Sequence, residues 1–127
     1  MSDFVVDASA ILAILQDEAF THFDGRRIPG AWISTINLSE ILAKLYAKGF
    51  GEEDAMRALG VFSLRAADFT ERHAGAAARL VTSTRRAGLS FGDRACLATA
   101  QLLGLPAVTA DRAWATVDAG VAVILVR

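Results

Sequence analysis

The chain has 127 residues, 54% of them hydrophobic and 21% charged, which excludes a disordered or fibrous polymer and suffices for one hydrophobic core. With 13 Lys and Arg against 14 Asp and Glu the formal net charge is -1; no global basic surface for nucleic acid exists, only local pairs such as Arg26–Arg27 and Arg85–Arg86. The longest apolar runs, ILAIL and VAVILV, are too short to span a bilayer, MSDFVVD lacks the basic start of a signal peptide, and the lone Cys96 has no internal disulfide partner, so a cytoplasmic protein is expected.

In chain order, FVVD (Phe4–Asp7) reads as a short buried strand and ASAILAILQ as the apolar helix that follows it. AWIS (Ala31–Ser34) is a second strand, followed by a helix over NLSEILAKLYAKG that Gly49 stops. EEDAMRALGVF is helical, with its acids in the first turn where the helix dipole favours them. FSLRA reads as a third strand and DFTERHAGAAARLVTSTRRAG as one long, alanine-rich helix. LSFGDRACLATAQLLG is a further helix ended by Gly104 and Pro106; PAVTA is a fourth strand, DRAWATV a short helix and VAVILV a last strand. Near-continuous apolar strands alternating with helices predict a parallel sheet covered on both faces. The expected fold is a single three-layer α/β/α domain over residues 1–127, with a central, mainly parallel sheet of about five strands.

Four acids stand out against this frame. In an open parallel sheet, ligands bind beyond the carboxyl ends of the strands. Asp7 follows FVV and Asp111 follows AVTA, both at such ends, while Glu40 and Asp93 fall in the first turns of predicted helices. Each has a local explanation as well. Asp7 and Asp111 can cap helices, Ser90 and Asp93 have capping-box spacing, and Glu40 and Lys44 form an i,i+4 pair. Glu40 points roughly 160° away from the Leu38, Ile41, Leu42 and Leu45 stripe, toward solvent or a cleft. Charges about 4 Å apart repel by roughly 1 kcal/mol in water and about 4 kcal/mol at an effective dielectric of 20. A shared site therefore requires protons or a cation, and oxygen donors without His or Cys suit Mg²⁺ or Mn²⁺ rather than zinc.

With FVVDASAIL, STINLSEILAKL, LSFGDRACLATA and VTADRAW in this order, the chain resembles a PIN-domain ribonuclease, and in length and motif layout a VapC-type toxin of a toxin–antitoxin pair. The resemblance implies that Asp7 and Asp93 are the principal ligands of Mg²⁺ or Mn²⁺. Asp111 would complete that site, and Glu40 would orient or deprotonate the attacking water. Ser9 and Thr109 match small hydroxyl positions that fix carboxylate orientation, although each also has a plain local role. Asn37 either steadies the Glu40 region or caps the helix. Arg94 and Arg112 either approach RNA phosphates or neutralise the acids. Trp114 and Cys96 read as core, His22 and His73 as surface or local hydrogen-bonding residues.

The resemblance further implies an RNA substrate cut to a 3′-hydroxyl and a 5′-phosphate. It also implies a cognate antitoxin that blocks the acidic cleft, and a homodimer. Ile41, Leu45, Met56 and Leu59 serve either an interface or the core. The alternative is a catalytically silent PIN-fold module that binds RNA or protein. A phospho-accepting receiver domain fits poorly, since Ala8 rather than a second acid follows Asp7, and the only lysines are Lys44 and Lys48.

Overall fold

The computed structural model describes residues 3–127; Met1 and Ser2, which open the MSDFVVD segment, lie outside the described residues. Five strands form one parallel sheet: β1 (Val5–Val6), β2 (Trp32–Ser34), β3 (Arg65–Ala67), β4 (Ala107–Thr109) and β5 (Val123–Leu125), in the order β3-β2-β1-β4-β5. The helices are α1 (Ala8–Leu15), α2 (Thr35–Ala47), α3 (Glu52–Gly60), α4 (Glu71–Arg79), α5 (Val81–Thr84) and α6 (Phe91–Leu103), with 3₁₀ turns at Gly25–Arg27 and Arg112–Thr116.

Alternation along the strands explains why they read as unbroken apolar runs. Val6, Ile33, Val108 and Ile124 face a core completed by Ile11, Ile41, Leu45 and Leu59. Their neighbours Val5, Trp32, Ala107 and Val123 face a second core with Ala76, Leu80, Leu97 and Trp114. Successive strand residues point to opposite faces, and here both faces are covered by helices. Trp114 is fully buried, as expected, although its indole Nε1 has no hydrogen-bond partner among the described residues. Cys96 is buried and free. No helix among the described residues is long and apolar enough to cross a membrane.

Three elements differ in extent from expectation. The helix expected from Asn37 begins at Thr35, because the Ser34 hydroxyl caps it by accepting Ile36 N–H at 3.2 Å. Strand β3 lies later than FSLRA, starting past Ser63, whose φ of 46° breaks the extended backbone. The long helix over 68–88 is two: Thr70 and His73 form a capping box that starts α4, and the chain interrupts at Leu80. There the Thr84 and Ser83 hydroxyls both donate to the Leu80 carbonyl, at 2.7 and 3.3 Å, alongside the Thr84 N–H at 3.1 Å. DRAWATV forms a 3₁₀ turn rather than an α-helix. Gly104, in the left-handed conformation at φ 67°, ends α6 as the sequence indicated.

Because Ile33 is fully buried between β2 and the α1–α2 side of the sheet, Ile33→Ala is expected to cost about 2–5 kcal/mol in urea denaturation. Val61, 71% exposed, provides the control, and Val61→Ala is expected to stay within about 0.5 kcal/mol of wild type.

Candidate active site

The strand order reverses at β1: the chain leaves it toward β2 on one side and later returns as β4 on the other. In open parallel sheets ligands bind beyond the carboxyl ends of the strands that flank such a switch point, here β1 and β4. The register Val6↔Val108, with Asp7 N–H donating to Val108 O at 2.8 Å, sets Asp7 level with Thr109. Asp7 is 3% exposed and its side chain caps nothing at the start of α1. Its Oδ2 instead accepts the Ser9 hydroxyl at 2.7 Å and the Thr109 hydroxyl at 3.0 Å. Each hydroxyl has a single proton, and both are committed to Asp7. The two hydroxyl oxygens in turn accept backbone N–H groups, Ala110 to Ser9 and Asp111 to Thr109, each at 3.0 Å. This donor chain fixes the carboxylate and ties α1 to the end of β4. The capping role weighed for Asp7 is thereby overturned, and the expected orienting positions of Ser9 and Thr109 are occupied.

On α2, Asn37 and Glu40 stand three residues apart, on one side of the helix. Asn37 is fully buried, and its Nδ2 donates to Glu40 Oε1 at 2.7 Å and to the Gly92 carbonyl of α6 at 2.9 Å. Since Ser34 is the cap, Asn37 is not; it clamps Glu40 and the start of α6 together. The earlier helix start also moves Glu40 from the first turn to the second. Among the described residues no ion pair joins Glu40 to Lys44, and Glu40 is half-buried at the cleft rather than free in solvent.

Asp93 and Asp111 do what their local sequence suggested and also reach the cleft. The Ser90–Asp93 capping box is formed, Ser90 N–H donating to Asp93 Oδ2 at 2.8 Å and Asp93 N–H to the Ser90 hydroxyl at 3.2 Å. Asp111 Oδ1 accepts Ala113 N–H at 2.9 Å and caps the 3₁₀ turn. Arg94 donates through Nη1 to Ala77 O at 3.0 Å and lies 5.8 Å over the Phe91 ring, fastening α6 to α4. Arg112 is exposed, with Nε donating to Arg127 O at 3.4 Å. His22 is exposed, and the His73 ring accepts Thr70 N–H, so both lie outside the site.

Electrostatics show that the acids share one neighbourhood. Burial pushes the Asp7 carboxyl from its ordinary 3.8 up to about 6; the charges of Asp93 and Glu40 add to that, and the Ser9 and Thr109 hydrogen bonds oppose it without prevailing. Burial likewise raises Asp93, with a contribution from the charge of Asp111. The Cys96 thiol, one turn beyond Asp93, is driven well up by burial and then by Asp7, Asp93 and Glu40. Among the described residues the ion pairs are Arg26–Asp24, Arg57–Asp54 and Arg127–Glu18, so none neutralises these four acids. The carboxylates form an uncompensated negative cluster.

Its donor set fits a hard divalent cation, since every side-chain donor is a carboxylate oxygen and the nearby thiol is held protonated. Among the described residues no three His, Cys, Asp or Glu side chains close into a cage. Sequence reasoning left Gly92 unremarked. The available signal was a glycine inside the first turn of an alanine- and leucine-rich helix, next to a candidate acid.

A family model described as the PIN domain matches residues 4–120. A comparison with curated protein sequences returns no match. Among solved structures, a DNA-bound VapBC from Salmonella typhimurium is similar at 21% identity and a TM-score of 0.73, covering 97% of each chain. A toxin–antitoxin complex from Klebsiella pneumoniae is similar at 16% identity and a TM-score of 0.71, covering 98% of each. A member of the VapBC family of toxin–antitoxin systems from Mycobacterium tuberculosis shows 20% identity and a TM-score of 0.65, covering 100% of this chain and 99% of that one. At these identities the likeness is one of fold.

A carboxyl whose folded value lies above its unfolded value binds more protons in the folded state, so stability falls as pH rises between the two values. For Asp7 that window runs from about pH 4 to about 6. In EDTA, urea denaturation is expected to show a loss of roughly 3 kcal/mol across it. Asp7→Asn should flatten this part of the profile; an unchanged slope in that variant would assign the loss to other groups.

Proposed function

The chain belongs to the PIN-domain family, and from that premise we propose that it is a metal-dependent endoribonuclease, the toxin of a type II toxin–antitoxin pair. The observation that carries this reading is the uncompensated cluster of buried Asp7 with half-buried Glu40 and Asp93, and Asp111 beside it. Such a cluster is costly in an isolated fold and becomes favourable when a cation and a phosphate enter together.

In this reading Asp7, Asp93 and Asp111 would hold Mg²⁺ or Mn²⁺, which would supply positive charge for the phosphoryl oxygens and acidify nearby water. The protein's own work is orientation and proton transfer. Ser9 and Thr109 keep Asp7 from rotating, and the Ser90–Asp93 box does the same for Asp93. Asn37 occupies Glu40 Oε1, which leaves Oε2 to accept a proton from the attacking water. Attack at phosphorus breaks its bond to the 3′-oxygen, leaving a 3′-hydroxyl and a 5′-phosphate. Arg112, exposed next to Asp111, and the remaining N–H groups of Arg94 offer contacts to RNA phosphates.

A cognate antitoxin is expected to silence the site by placing a basic side chain among the carboxylates. The apolar residues weighed for an interface divide clearly: Ile41, Leu45 and Leu59 are core, while Met56 is 56% exposed. Met56, with exposed Tyr46, Phe50 and Val61 nearby in sequence, is the apolar surface available to an antitoxin or to a second copy in a homodimer.

Purified, antitoxin-free chain incubated with total RNA and Mg²⁺ or Mn²⁺ is expected to give discrete cleavage that EDTA abolishes. Thr109→Val, which removes one of the two hydroxyls on Asp7, should lower the rate about 10- to 100-fold. Asp7→Asn and Asp93→Asn should lower it further. Equal RNA binding by wild type and Asp7→Asn, with cleavage by neither, would favour the catalytically silent binding module.

A further inference from the structure

Gly92 occupies the second position of α6 without any backbone requirement for glycine. Its φ is not among the positive glycine values of the described residues, which fall at Gly30, Gly49, Gly88, Gly104 and Gly120. An alanine at a helical position of this kind is ordinarily the more stable choice, because glycine carries more conformational entropy into the folded state. Space supplies the reason that backbone geometry does not. A Cβ built on Gly92 would lie 2.6 Å from both Cδ and Oε1 of Glu40 and nearer still to Oε2, well inside any tolerated contact. All three nearest atoms belong to one carboxylate. The Glu40 head group therefore rests directly on the face of α6 that the missing side chain leaves open.

The same residue is held from a second direction. Its carbonyl accepts Asn37 Nδ2, and the other proton of that amide nitrogen goes to Glu40 Oε1. One buried amide thus joins the carboxylate to the backbone on which it sits, while Asn37 Oδ1 has no partner among the described residues. The next residue along is Asp93, so the spacing between the carboxylates of α2 and α6 is set at this seat.

We propose that Gly92 is a positioning residue: its lack of a side chain, together with the Asn37 clamp on its carbonyl, seats the Glu40 carboxylate at a fixed place beside Asp93. The role in cleavage rests on the nuclease reading of the site, whereas the seat itself does not. Gly92→Ala should fold, because the obstructing atoms are the far end of a flexible side chain, and it should displace that end.

A double-mutant cycle with Glu40→Ala separates the two. In urea denaturation, Gly92→Ala is expected to raise the midpoint more in the Glu40→Ala background than with Glu40 present. An equal change in both backgrounds overturns the proposal. With an RNA that the wild type cuts, Gly92→Ala should lower kcat roughly 10- to 100-fold, the scale of a misplacement near 1 Å, and leave KM within about twofold. The same substitution added to Glu40→Ala should cost no further activity; an independent, multiplicative loss there overturns the positioning role. Stability coupling in a chain that cleaves no RNA would keep the seat and sink the nuclease reading instead.

Discussion

Asp7 is buried at the carboxyl end of β1, and the site is organised around the cost of that burial, to which the charges of Asp93 and Glu40 add. Two hydroxyl donors would ordinarily lower a carboxyl's proton affinity, yet burial and the neighbouring charges outweigh them, and the carboxyl rises to about 6. The imbalance is equivalent to roughly 3 kcal/mol against the charged form, a large fraction of the stability of a small domain.

The surrounding polar structure serves to hold those carboxylates still. Ser9 and Thr109 converge on Asp7 while drawing on the backbone of Ala110 and Asp111. Ser90 and Asp93 bind each other reciprocally, and Asn37 bridges Glu40 to Gly92. Asp93 and Asp111 combine capping with membership of the cluster, so the local and the functional explanation of an acid at a helix start do not compete. One carboxylate oxygen can satisfy a free amide while the other faces the cleft. Asp7 stands at a helix start without capping it, and it is the most deeply buried of the four.

Much of this was legible in the sequence because it depended on local signals. Apolar runs marked the strands, Gly104 marked the end of α6, and acids at the ends of FVV and AVTA fell where a parallel sheet opens its crevice. What was not legible depended on partners distant in the chain. Asn37 reads equally well as a cap until Ser34 is seen to fill that role, and its second bond goes to a carbonyl 55 residues away. Gly92 carries no motif; its meaning appears only when Glu40 is seen lying over it. The break at Leu80, where the Ser83 and Thr84 hydroxyls join the Thr84 N–H on one carbonyl, was concealed by an alanine-rich helical pattern.

The cluster's lack of compensation is tested most directly by titrating the Asp7 carboxyl itself, by carbon-detected NMR of labelled protein in EDTA and then with Mg²⁺. The structure predicts a midpoint near 6 without metal, moving down when the ion is added. A midpoint at the ordinary 3.8, indifferent to Mg²⁺, would contradict it.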